Sequence, residues 1–109
     1  MLKPLFGSEV REKVLIFLVA RGSGYPTEIA AFFNVSLRQI QNQLDLLESG
    51  SVLASQLIGK TRIYEFNPRY AFLGELKTLL EKALSFYPKE IQESLKTNRR
   101  KPRRRNKPL

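Results

Sequence analysis

Two runs of strand-forming residues, Leu53 to Ile58 and Thr61 to Phe66, are separated by only two residues, Gly59 and Lys60. Both runs are rich in β-branched, aromatic and leucine side chains. A Gly-X pair suits the two-residue type II′ turn, because glycine accepts the positive φ required at the first turn position. The segment therefore reads as a tight β-hairpin, and what precedes it decides which architecture it completes.

Three helical stretches come before it. Ser8 is placed to cap a helix with Glu9 in its first turn, and Val10, Val14, Phe17, Leu18 and Arg21 recur at helical spacing. Leu15 and Val19 widen that apolar surface, so the helix should be covered on more than one side. Gly22, Ser23 and Gly24 supply the stop and the turn. Pro26 then suits the first turn of a short second helix, with Glu28 near its positive end and Ile29, Ala30, Phe32 and Phe33 as its apolar surface. Asn34 tolerates the left-handed conformation that ends such a helix.

The third helix has the clearest opening. In Ser36-Leu37-Arg38-Gln39 the spacing fits a capping box, in which the Ser36 hydroxyl and the Gln39 side chain each satisfy an orphan backbone N–H. Ile40, Leu44 and Leu47 make one apolar stripe, Arg38, Gln41, Asn42 and Asp45 lie opposite it, and Gly50 closes the helix. Two helices joined by a turn of about three residues, followed directly by a hairpin, are the plan of a winged helix-turn-helix. After Asn67-Pro68 the apolar positions resume as a long helix from about Tyr70 to Phe86, and Pro88 can start a last short helix to about Leu95.

The expected fold is thus mainly α with a small β-hairpin, in the order α-α-α-β-β-α. Residues 1–95 form the domain, with a dimerisation helix at about 70–87, and residues 96–109 form a disordered basic tail. The chain has 109 residues, which suits one domain with a modest core. It has no cysteine and no histidine, which removes disulfides, zinc fingers and the commonest metal ligands, so neither a cofactor nor a metal is expected. The run Val14 to Ala20 is too short, and too closely flanked by charges, for secretion or membrane spanning. No nucleophile-base pair and no phosphate-cradling glycine loop stands out, so an enzyme is not expected. The expected location is the cytoplasm, at the nucleoid.

Charge is unevenly placed. Eleven of the nineteen basic residues and all ten acids precede Lys96, so residues 1–95 carry a net charge of +1 out of the total +9. From Lys96 on come Arg99, Arg100, Lys101, Arg103, Arg104, Arg105 and Lys107 with no acid, a composition that cannot bury a core.

These features point to nucleic acid. An α-helix fits the major groove of DNA, where Arg pairs with guanine and Asn or Gln with adenine. Ser36, Leu37, Arg38, Gln39, Gln41 and Asn42 on the third helix are therefore the candidate DNA-contacting residues. Lys60, Thr61 and Arg62 at the hairpin tip are candidate wing contacts to phosphates. The tail arginines and lysines are candidates for phosphate, minor-groove or RNA contact. Phe72, Leu73, Leu76, Leu80 and Leu84 give the long helix more apolar surface than a body of about 90 residues can readily hide. A second copy of the chain is the expected partner, placing two recognition helices on successive major grooves. Two alternatives are a winged-helix module that docks a protein, and an RNA or non-specific nucleic-acid binder acting through the tail.

The segments Leu5-Phe6-Gly7-Ser8 with Arg11, Pro26-Thr27-Glu28-Ile29-Ala30, Val35-Ser36, Ile40, Leu44, Leu47-Glu48 and Gly50 resemble the core pattern of ArsR-type transcriptional regulators. Gly59-Lys60-Thr61-Arg62-Ile63-Tyr64 and Asn67-Pro68 resemble the wing and exit of that family, and the likeness spans residues 5–87. It implies a homodimeric, double-stranded-DNA-binding regulator assembled through its first and last helices. DNA contacts are implied from Leu37, Arg38, Gln41 and Asn42. The absence of Cys and His places the chain with the subgroup that does not sense metals, and the basic extension lies outside the family pattern.

Overall fold

A computed structural model of the chain describes residues 1–96. The elements are α1 (Lys3–Phe6), α2 (Glu9–Arg21), β1 (Ser23–Gly24), α3 (Pro26–Phe33), α4 (Leu37–Ser49), β2 (Leu53–Ile58), β3 (Thr61–Phe66) and α5 (Leu73–Ser85). Residues 89–96 are helical again and are called α6. Arg99, Arg100, Lys101, Arg103, Arg104, Arg105 and Lys107 lie outside the described residues.

The core is organised around α2. Ser8 caps it, its side chain accepting from the Arg11 N–H at 3.1 Å. Val14, Leu15, Ile16, Phe17 and Leu18 are consecutive, and each is at most 2% exposed. A helix apolar on all sides must be wrapped, and α3, α4 and α5 all pack against this one. That wrapping corrects one sequence expectation. Leu80 and Leu84 of α5, read as dimer-interface residues, are buried in the chain's own core. They cover the side of α2 that α3 and α4 leave open. Phe72 is exposed, and Leu73 and Leu76 are half-buried. The helix also starts later than expected, at Leu73, because Asn67 holds a turn, its side chain accepting from the Arg69 N–H.

The helix-turn-helix is built as its residues suggest. Pro26 opens α3, and Asn34 ends it in the left-handed region at φ 55°. The Ser36 hydroxyl accepts from the Gln39 N–H at 3.2 Å. Only that half of the expected capping box forms, because the Gln39 carboxamide oxygen instead accepts from the Ser36 hydroxyl. At the far end Gly50 has φ −89°, and it is Ser51 that takes the left-handed turn at φ 66°. The Val52 N–H donates to the Leu47 carbonyl and the Ser51 N–H to that of Glu48, the Schellman pattern set one residue beyond the glycine.

Strands β2 and β3 pair antiparallel with Ile58 opposite Thr61, so Gly59 and Lys60 form the whole connection. Gly59 has φ +63° and Lys60 is not in the positive region, as a type II′ turn requires. β3 also pairs with β1, a two-residue strand in the stretch read as a plain turn, giving the sheet order β1-β3-β2. Gly24 belongs there because a Cβ at that position would come within 2.6 Å of the Phe17 ring.

One acid, Glu12, is buried. Glu12 is 3% exposed, accepting from the Leu2 N–H at 2.7 Å and from the Tyr87 hydroxyl at 2.5 Å. Burial works to raise its carboxyl, but the bonds from Tyr87 and Leu2, with the N-terminal ammonium, outweigh that and hold it below the ordinary value. Burial, then Glu12 itself, pushes the Tyr87 hydroxyl above its ordinary value. A depressed carboxyl stabilises the fold fully above its unfolded pKa and loses that contribution as pH falls through its folded value. A raised phenol contributes fully below its unfolded pKa and loses its share as pH rises past it. Stability should therefore fall below about pH 4.3 and above about pH 10. In Tyr87→Phe both slopes should flatten, with a loss of about 1.5–3 kcal/mol at neutral pH for a hydrogen bond to a charged group, read from urea melts across pH.

Candidate nucleic-acid interface

The two faces of α4 follow from its period. At about 100° per residue, Ile40, Leu44 and Leu47 fall within one narrow sector, and all three are buried. Arg38 and Asn42 fall on the opposite side and are exposed, with no hydrogen-bond or ion-pair partner among the described residues. Ser36, Leu37 and Gln39 at the start of the helix are exposed as well. The amide-and-guanidinium side of this helix is therefore free in the single chain.

Gln41 is placed differently from the expectation that it stands on the open face. It is half-buried on the flank toward the hairpin, where its Nε2 donates to Asp45 Oδ1 at 3.1 Å and to the Tyr64 hydroxyl at 3.2 Å. Tyr64, on β3, is 2% exposed. Gln41 thus bridges the helix to the base of the wing.

Between that flank and the wing lies an open cleft of about 630 Å³. Its rim carries Leu37, Gln41, Asp45 and Glu48 from α4, Leu57, Lys60, Thr61 and Arg62 from the hairpin, and Tyr25, Pro26 and Thr27 from the start of α3. Lys60 and Thr61 are exposed at the tip. Arg62 is exposed but held, donating to the Ser55 hydroxyl at 3.0 Å, which in turn donates to Glu48 at 2.6 Å. Two recognition-helix candidates, Leu37 and Gln41, are therefore brought around one concavity with the three wing candidates, while Ser36, Arg38, Gln39 and Asn42 lie outside its lining. The α3 residues were not anticipated as part of it, although Pro26 at a helix start marked where that helix would open.

A second arrangement, also unanticipated, holds α6 against the rest of the domain. The Arg21 guanidinium lies 4.5 Å from the Phe17 ring centroid and 5.2 Å from that of Phe32. Its Nε donates to the Leu95 carbonyl at 3.0 Å, one terminal nitrogen to the Ser94 carbonyl at 3.4 Å, and the other to Glu28 at 3.1 Å. Burial lowers the Arg21 pKa, and Glu28 opposes that shift. Leu95 is fully buried beside the guanidinium. Glu28 in turn accepts from the Tyr25 N–H, so Ser94 and Leu95 of α6 are tied to the same turn of α3 that borders the cleft. Helical spacing put Arg21 on the α2 stripe, which was the available signal for its burial.

Among the described residues, no group of three or more His, Cys, Asp or Glu is placed to hold a metal ion. With no Cys or His in the chain, any metal would have to be bound by oxygen ligands. No helix among the described residues is long and apolar enough to cross a membrane.

No family model matches the chain, and no curated protein matches it. Solved structures do. One is the adhesin competence repressor AdcR from Streptococcus pyogenes, at 13% identity and a TM-score of 0.53, covering 83% of this chain and 75% of that one. Another is ZitR from Lactococcus lactis, a doubly substituted mutant in apo form, at 17% identity and a TM-score of 0.54, covering 84% of this chain and 80% of that one. These likenesses, with the helix-turn-helix and hairpin described above, establish a winged helix-turn-helix fold for this chain.

Proposed function

We propose that this chain is an ArsR-type, homodimeric regulator of transcription that binds double-stranded DNA in the cytoplasm by laying α4 in the major groove. The observation that carries this reading is the outer side of α4, where Arg38 and Asn42 are exposed and have no hydrogen-bond or ion-pair partner among the described residues. The winged helix-turn-helix fold shared with two solved structures, one of them bearing the name of a repressor, supports the regulator part of this reading. Ser36, Leu37, Gln39 and Gln41 border the base edges, and Lys60, Thr61 and Arg62 contact phosphates. Residues 96–109 add a cationic arm to the same duplex, starting from an anchor tied to the cleft through Arg21 and Glu28. Pairing of two chains uses what α5 leaves uncovered, Phe72 with Leu73 and Leu76, joined by Leu79 and Phe86.

Fluorescence titration against the protein's own promoter region and against random duplex, with structured RNA as competitor, tests the proposal. Salt-sensitive binding that favours the promoter and resists RNA is expected. Absence of duplex binding, or displacement by RNA at equal concentration, overturns it. Sedimentation of the free chain should show a dimer.

A second reading has its own support. Leu57 and Ile58 on the wing are 60% and 56% exposed, apolar surface of the kind a protein partner would cover. On that reading, alanine at Arg38 and Asn42 leaves DNA selectivity unchanged.

A further inference from the structure

We propose that Gln41 and Asp45 act as an acceptor-only pair that selects cytosine, through its N4 amine, at one position in the major groove. This assignment rests on the DNA-binding reading above.

The argument starts from what the Gln41 amide has already spent. A glutamine side chain offers two N–H donors and one acceptor oxygen. Both donors are engaged within the chain, one on Asp45 Oδ1 at 3.1 Å and one on the Tyr64 hydroxyl at 3.2 Å. A carboxylate accepts and does not donate, so the nitrogen and not the oxygen must face Asp45. Tyr64 is buried on β3, which makes its hydroxyl a fixed anchor. What remains for a ligand is Gln41 Oε1 and the second Asp45 oxygen, neither with a partner among the described residues. Asp45 is exposed, and both residues border the cleft between α4 and the wing.

A free glutamine pairs with adenine by accepting from N6 and donating to N7. The pinned Gln41 has no N–H left for N7. Guanine offers two acceptors on its major-groove edge and thymine one, so both oppose an acceptor pair. Adenine places N7 beside its amine and opposes the second acceptor. Cytosine alone presents an amine with no neighbouring acceptor on its own edge. The other candidate readers on this helix, Arg38 and Asn42, retain their donors, so the pair adds a position of different character to the site.

The test is selection from a randomised duplex pool with the full chain, its Asp45→Asn variant and its Gln41→Ala variant. Asp45→Asn is an exposed, nearly isosteric change that frees the Gln41 amide to turn. The wild-type chain should enrich cytosine about tenfold over the other bases at one position of each half-site, an effect in the range of a single mismatched base pair. Asp45→Asn should lose that preference and gain adenine at the same position, with the remaining positions unchanged. Gln41→Ala should weaken the preference without the gain of adenine. A wild-type motif with no such cytosine, or one that survives in Asp45→Asn, overturns the assignment while leaving DNA binding intact. A wild-type chain that enriches no motif overturns both.

Discussion

Removing residues 97–109 is expected to cost more DNA affinity than any single substitution in the folded domain. The segment holds seven of the nineteen basic residues, whereas residues 1–95 carry a net charge of only +1. Each phosphate neutralised on B-DNA contributes about −0.9 to the slope of log K against log salt. If six of the seven cations find phosphates, the slope should become shallower by about 5. Between 50 and 200 mM salt the intact chain should then lose about a thousandfold more affinity than the truncated one. The truncated chain should still fold, because the last described turn of α6 is held by Leu95 in the core and by Arg21 on its carbonyls. Anisotropy titrations at four salt concentrations give the slope, and an unchanged slope would remove the tail from the interface.

The second large effect belongs to the helix itself. Replacing Arg38 and Asn42 together by alanine should cost about 2–6 kcal/mol of preference for the cognate site, from about 1–3 kcal/mol per bidentate base contact. Binding to random duplex should fall far less, because Asn42 carries no charge and Arg38 only one. The salt slope should change by no more than about 1. Both side chains are exposed and make no hydrogen bond or ion pair among the described residues, so the melting temperature should move little. Competition between cognate and random duplex measures the preference. Equal losses on both duplexes would mean that these residues touch phosphates and read no bases.

Local chemistry explains why so much of the architecture is visible in the residues. Ser8, Pro26, Asn34, Ser36 and Gly59 each act within a few positions of themselves, through a cap, a helix start, a left-handed residue or a tight turn, and each does so in the structure. The larger surprises involve partners far apart in the chain. β1 exists only because Ser23 and Gly24 meet Glu65 and Tyr64. Glu12 is buried because Tyr87, far along the chain, closes over it, although its neighbours three and four positions on, Leu15 and Ile16, hinted at an inward side.

The same distinction runs through the candidate site. The exposed side of α4 is legible from its period, whereas the fixing of Gln41 depends on the hairpin folding back to bring Tyr64 beside it. An apolar stripe on α5 could equally have met a second chain or α2, and composition does not choose between them. The structure assigns Leu80 and Leu84 to α2 and leaves Phe72 and Phe86 in solvent. Ser51, in the left-handed position one residue after a glycine, shows the limit of reading caps from residue type alone.

The central claim is that the Arg38 and Asn42 side of α4 lies against base edges in the major groove. Methylation protection at guanine N7, an atom that faces only that groove, addresses it most directly. Two clusters of protected guanines, centred about 10 base pairs apart as a two-fold pair of recognition helices requires, are the predicted result. Protection of the sugar-phosphate backbone with every guanine N7 still fully reactive would contradict it.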